Sequence, residues 1–436
     1  MEIYVVRAGD TIWGIARRFG VPLEQLMWDN QLESDIPLMV GQAHVVRTGM
    51  GLPGRWVISI GYAYPFIQTE VLEETLCYLT DVYVFSYRFD REARLIGPDT
   101  PDDRILEEIA ARNGSPVLVL SSLDENGSFD RELLSWFLND SAAQESIIRQ
   151  VEETVLEKGY RGVDVDFEYA KREDSEKLAA FVADLRQVIN ALGYPVSVTL
   201  APKTYDGQEG SLYEGTDYRL LGEAADQALL MTYEWGYSRG QPMAVAPVNL
   251  VRRVVEYAVS RIPREKLLLG IPNYGYDWPL PFQPGETVAR TVGNVEAVRL
   301  AAETGSEIFF DEVAQTPYFH YRRDGVSHVV WFEDPRSIRA KLQVVSDYGL
   351  AGVGYWQILR MFRANWLLLA GTFDIYRRNE GQGATAVFPA VSSWAARRRA
   401  WAGRRSRRPR RAGLLTLPSP PPARRGGGRG RWRWRP

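Results

Sequence analysis

The most informative spacing in this 436-residue chain is Gly162-Val163-Asp164-Val165-Asp166-Phe167-Glu168, where acids alternate with apolar side chains. On a β-strand, alternate residues share a face at a spacing of roughly 6–7 Å. Asp164, Asp166 and Glu168 therefore point one way, and Val163, Val165 and Phe167 the other. In a barrel the acids would face inward. Burying unpaired charge is costly, so three carboxylates there must be functional or extensively compensated. Two close carboxylates do not ionise together easily. Asp164 and Asp166 are expected to share a proton as a pair, and Glu168 to be partly protonated near neutral pH. A protonated Glu at a strand end, in a cleft, is a general acid.

That strand needs a scaffold, and the flanking sequence supplies one. Apolar, β-branched runs at 56–60, 82–85, 117–120, 162–167, 196–200, 228–231, 267–271 and 352–356 alternate with helical patterns such as 141–158, 173–192 and 249–262. Eight strands separated by helices predict an α/β fold, a (β/α)8 TIM barrel over 55–378. Residues 283–333 are too long for one crossover helix and predict a small α+β insertion between strands 7 and 8. Ahead of the barrel, Tyr4-Val5-Val6 reads as a strand, and Ile12, Ile15, Ala16 and Phe19 recur at helical spacing. Gly20-Val21-Pro22 breaks that helix, a second begins near Leu23, and His44-Val45-Val46 closes a βααβ unit over 1–48. The few Gly- and Pro-containing residues after it predict an independent anchor on a short tether.

With 45% apolar and 12% aromatic residues, the chain can bury a large core. Its net charge of −3 averages two unlike parts, because residues 397–436 hold 15 Arg and no acid. The rest is strongly acidic and repels phosphate backbones, so no nucleic acid is expected for the folded part. The Arg-, Pro- and Gly-rich stretch over 379–436 is expected to be disordered and is assigned no role. One Cys and three scattered His (His44, His320, His328), with no CxxC or HExxH, predict no metal site and no cofactor. No apolar run approaches the ~18–20 residues of a membrane span, and the first residues lack the pattern of an ordinary signal peptide. No membrane association is expected, and the protein is expected to be a monomer.

Two resemblances follow from these motifs. YVVRAGDTIWGIARRFGVPLEQLMWDN, followed by PLMVGQAHVV, resembles the LysM glycan-binding module, which implies glycan contact through Gly9, Asp10 and Thr11 and the 30–38 loop. Gly162, Asp164, Asp166 and Glu168 resemble the DGxDxDxE signature of glycoside hydrolase family 18. Further matches follow in order: Met231-Thr232-Tyr233 is similar to that family's MxY, Gly270 to Gly275 to its GxPxYG, and Gly354-Tyr355-Trp356 to its last-strand Trp. Arg161 stands where the family often has a first Asp, a position expected to lie deepest in the barrel. The resemblance implies substrate-assisted retaining hydrolysis. Glu168 is then the acid, Asp166, Asp164 and Tyr233 assist, and Trp356, Met231, Glu234 and Tyr274 contact substrate. Stretches such as MTYEWGY and FDEVAQTPYFHY resemble the bacterial spore-cortex N-acetylglucosaminidases. The expectation is a β-N-acetylglucosaminidase of peptidoglycan, located at the spore coat or cortex or in the cell wall. A chitinase is the second enzyme reading. A glycan-binding coat protein on a dead barrel is the third, and the intact Glu168 weighs against it.

Overall fold

The β-prone runs pair in sequence order because each is buried on both faces, and helices between them provide the crossovers. The computed structural model describes residues 1–49 and 54–378; the expected tail at 379–436 lies outside the described residues. Its barrel strands are β1 (Trp56–Ala63), β2 (Asp81–Phe89), β3 (Pro116–Ser121), β4 (Val163–Asp166), β5 (Val196–Leu200), β6 (Gln227–Leu230), β7 (Leu267–Pro272) and β8 (Gly352–Trp356). Every neighbouring pair is parallel, and β8 closes the ring against β1 with Gly354 opposite Ile60. Closure depends on a missing side chain. A Cβ on Gly352 would stand 1.8 Å from the Ile58 carbonyl oxygen, so only glycine lets these strands meet at ladder distance. The helix Ser141–Lys158 shows how the outer ring packs: Ala143, Ile147, Val151 and Val155 form its buried stripe, and Asp140 caps it by accepting from the Ala143 N–H at 3.0 Å.

An antiparallel five-stranded sheet interrupts the chain between β7 and β8, in the order Arg290–Val292, Gly275–Leu280, Val326–Trp331, Thr316–Arg323, Phe309–Asp311. The helix Asn294–Thr304 covers it. This insertion starts at Gly275, earlier than position 283. The β-prone sequence runs on from β7 with little interruption, so periodicity does not mark where the chain leaves the barrel.

The N-terminal unit has the expected order. Glu2–Val5 pairs antiparallel with Ala43–Val46 around the helices Ile12–Phe19 and Leu23–Asp29, with Tyr4, Ile15, Leu26 and Val46 in its core. It does not hang from a tether. Val45 is buried in the same apolar cluster as the barrel helices, the Ile308 N–H donates to the Val40 carbonyl at 2.9 Å, and Arg336 donates to the Gly41 carbonyl at 3.0 Å. Gly41 has φ +84°, and a Cβ there would meet the Ile308 oxygen at 1.8 Å. The expectation of an independent anchor gives way to a docked unit. The partners lie about 300 residues further along the chain, beyond the reach of any local pattern.

His44 sits at this junction, 1% exposed, and neither ring nitrogen meets a protein partner. Burial pushes its pKa down to about 4. The folded state therefore holds neutral imidazole while the unfolded chain, near 6.5, takes up a proton. Stability falls as pH drops below about 6.5 and levels out once pH passes the folded value. Thermal melts from pH 7 to 4 should show a flatter acid slope for His44→Leu than for the wild type; parallel curves would contradict a buried neutral His44.

Candidate active site

Strand β4 places Asp164 and Asp166 inside the barrel, both buried. Neighbouring strands supply the hydrogen-bond donors. Tyr62 on β1 donates to Asp164 Oδ2 at 2.8 Å and Ser197 on β5 to Oδ1 at 2.6 Å. Ser197 is in turn 3.0 Å from the Tyr83 hydroxyl of β2, and Thr199 donates to Asp166 Oδ1 at 2.7 Å. These bonds favour the ionised forms, but burial wins: it pushes Asp164 up to about 7, with the charge of Asp166 adding to the rise, and Asp166 up to about 6. Glu168 lies just past the strand, half-buried at the rim where barrel sites form. Enclosure by the cleft, then the charges of Asp166 and Glu234, raise its pKa well above the usual range. Every member of the ladder thus keeps its proton to higher pH than an exposed carboxyl would, and its uppermost member faces the cleft.

The segment after β6 carries the opposite wall. Met231 and Tyr233 are half-buried, and the Thr232 hydroxyl pins the segment to β7 by donating to the Gly270 carbonyl at 2.7 Å. Burial, and the nearby Asp166 and Glu168 carboxylates, keep the Tyr233 phenol protonated, so it is available as a donor. Glu234 is exposed to the cleft and accepts from the hydroxyls of Tyr274 and Tyr276, the latter at 3.0 Å. Surrounding protein raises its pKa to about 7 against those two hydrogen bonds; solvent in the open cleft moderates that push. Glu234 (φ +67°) and Tyr169 (φ +62°), the residue after Glu168, are both left-handed. Such backbone costs roughly 1–3 kcal/mol per residue and persists where the surroundings over-determine it. At the end of β8, Trp356 meets Phe85, Tyr62 and Tyr64 edge-on, with ring centroids 5.1, 5.6 and 6.2 Å away. Its ring is fixed, and its half-buried face is an apolar platform.

Asp164, Asp166, Glu168, Tyr233, Glu234, Tyr274, Met231 and Trp356 thus gather at one end of the barrel. Gly9, Asp10 and Thr11 remain in the N-terminal unit. There Asp10 accepts from the Tyr4 hydroxyl and the Arg7 N–H, both at 2.7 Å, and Thr11 caps the first helix by accepting from the Gly14 N–H at 3.0 Å. Arg161 is exposed at the entry to β4 rather than deepest in the barrel, because Gly162, Asp164 and Asp166 take the inner face and odd positions point outward. Sequence reasoning missed Tyr62, Tyr83, Ser197, Thr199 and Tyr276. A signal existed for two of them: Ser197 and Thr199 alternate with Val196, Val198 and Leu200, the same inward polar pattern as the acids. Among the described residues no group of three His, Cys, Asp or Glu is placed to hold a metal ion.

Comparison with known proteins matches residues 110–360 to the glycosyl hydrolases family 18 and residues 4–43 to the LysM domain. The chain is similar to the cortical fragment-lytic enzyme of Bacillus subtilis, 35% identical over 87% of this chain and 99% of that protein. It is also similar to a putative sporulation-specific glycosylase of the same bacterium, YdhD, at 30% identity over 84% of this chain and 87% of that one. The crystal structure of the Bacillus cereus spore cortex-lytic enzyme SleL superposes with a TM-score of 0.81 at 31% identity, covering 86% of this chain and 99% of that one.

The carboxylate ladder makes Glu168 sensitive to its neighbours. Removing the negative charge of Glu234 by Glu234→Gln should lower the pKa of Glu168, because one of the charges raising it is gone. Carbon-13 NMR titration of labelled Glu168 would read the change. An unmoved or raised midpoint would show that the two carboxyls do not sense one another.

Proposed function

The chain belongs to family 18 of the glycosyl hydrolases and carries an N-terminal LysM domain, and from that premise we propose that it is a β-N-acetylglucosaminidase. Its substrate is the peptidoglycan of a spore cortex or fragments of it, cut at β-1,4 bonds after N-acetylglucosamine. The observation that carries this reading is the inward ladder Asp164–Asp166–Glu168, buried along β4 with every pKa raised and open to solvent only at its rim. Cortex as substrate is supported by relatives that cover nearly their whole length and are named for cortical lysis. The place of action in this reading is the spore coat or cortex or the cell wall. Among the described residues no helix is long and apolar enough to cross a membrane.

In this reading Glu168 gives its proton to the glycosidic oxygen as the bond to the anomeric carbon breaks. The 2-acetamido oxygen of the same sugar attacks that carbon, the substrate-assisted route of this family. Asp166 accepts the acetamido N–H and balances the positive charge of the oxazolinium ion. Asp164, held by Tyr62 and Ser197, takes up or releases the proton that Asp166 must share. The Tyr233 hydroxyl donates to the acetamido oxygen and aims it. Trp356 lies beneath the distorted ring. Glu168, now ionised, takes a proton from the water that opens the oxazolinium ion. Two displacements at one carbon return the β configuration.

Three measurements test this. Glu168→Gln should keep its melting temperature and its sedimentation with peptidoglycan, while turnover falls by roughly 10²–10⁴; near-normal hydrolysis would refute the acid assignment. Proton NMR of a fresh digest should show the β-anomer first, and an α-anomer would sink the substrate-assisted route. Mass spectrometry of reducing ends from purified cortex should find N-acetylglucosamine; muramic acid ends, or cleavage of chitin oligomers alone, would move the protein to another activity or substrate.

A further inference from the structure

Residues 357–363 leave β8 directly after Trp356 and lead into the helix Arg363–Thr372. From the barrel side, Asn273 holds them: its N–H donates to the Trp356 carbonyl at 2.9 Å, and its amide to the Gln357 and Arg360 carbonyls at 3.1 and 2.8 Å. The Ile358 N–H adds a bond to the Tyr62 carbonyl at 2.9 Å. The other side is gripped by a residue of the N-terminal unit. Gln31 Nε2 donates to the Met361 carbonyl at 3.2 Å, and Gln31 Oε1 accepts from the Arg363 N–H at 2.8 Å. The Arg363 guanidinium then lies 3.6 Å from the ring centroid of Trp28 and pairs with Glu74. Gln31 adopts φ +53°, a left-handed backbone that is uncommon for a residue with a Cβ. A glutamine serving only solubility needs neither the strained backbone nor both ends of its amide engaged.

We propose that Gln31 is a positioning residue for the reaction in the barrel. Its amide clamps residues 361–363 against the pull of Asn273 and so sets where Trp356 presents its ring to the cleft. This rests on the reading that the barrel hydrolyses an N-acetylglucosamine polymer with Trp356 beneath the reacting sugar. The N-terminal unit then acts on turnover as well as on attachment. Its effect extends to substrates too short to touch it, and a glycan that shifts the 30–38 loop changes the cleft through Gln31.

The test uses the full chain and a soluble N-acetylglucosamine oligomer. Gln31→Ala should lower kcat by about tenfold with KM little changed, because misplacement of a group that acts on the distorted ring is felt in the transition state. Gln31→Glu, which keeps the acceptor for the Arg363 N–H and loses the donor to Met361, should also lose kcat and serves if the alanine variant folds poorly. Arg299→Ala breaks an exposed ion pair between the same unit and the insertion and should leave kcat at the wild-type value. In a Trp356→Phe background, Gln31→Ala should add little further loss, since coupled residues are not additive. Wild-type kcat in both Gln31 variants, a loss matched by Arg299→Ala, or full additivity with Trp356→Phe would each overturn the inference. A wild-type chain that leaves the oligomer uncut would instead remove the reading beneath it.

Discussion

Moving a carboxylate out of water into a protein interior carries an effective penalty of several kcal/mol, and β4 brings two into the barrel core with a third at its mouth. Much of the molecule responds to that burden. β1 and β5 turn hydroxyls toward Asp164 and Asp166, and Tyr83 on β2 extends the chain through Ser197. None of these groups is charged, so they reduce the penalty without cancelling it. The acids consequently keep protons that exposed carboxyls would lose. The same unfavourable burial that threatens the fold therefore favours the protonated form of Glu168.

Above the ladder, the rim must hold donors and an apolar surface in fixed positions. The left-handed backbone at Glu234 is tolerated because hydrogen bonds over-determine the segment that carries it, Thr232 to Gly270 and the two tyrosines to Glu234. Trp356 is fixed differently, by three aromatic edges around its ring and by hydrogen bonds to the loop behind it. An apolar platform above buried carboxyls suits a neutral, hydroxyl-rich sugar whose charge develops only as it reacts.

The N-terminal unit belongs to this rim as much as to the surface. Its contacts fall on segments that leave the barrel after β7 and β8: the insertion at Ile308, the helix start at Arg336 and the loop at Met361–Arg363. The N-terminal unit and the loop that follows Trp356 are thereby hydrogen-bonded together. Similarity to the cortical fragment-lytic enzyme extends over 87% of the chain, and the family matches fall in both parts, residues 4–43 in the unit and 110–360 in the barrel.

The eight strands, their order and the alternation of acids on β4 were legible in the sequence. A buried parallel strand needs a continuous apolar run, and an inward acid must skip every second residue. The βααβ unit was legible for the same reason, since helical spacing and a capping Thr11 are local signals. The donors to Asp164 come from Tyr62 and Ser197, 102 and 33 residues away, and only closure of the barrel brings them together. Where the insertion begins stayed hidden too, because a strand leaving the barrel looks like one continuing in it. Docking of the N-terminal unit was decided wholly by tertiary structure: the glycine at 41, the amide of Gln31 and the ring of Trp28 acquire meaning only against surfaces about 300 residues distant. Local periodicity reports which face of an element is buried, whereas the identity of what buries it is a property of the folded chain.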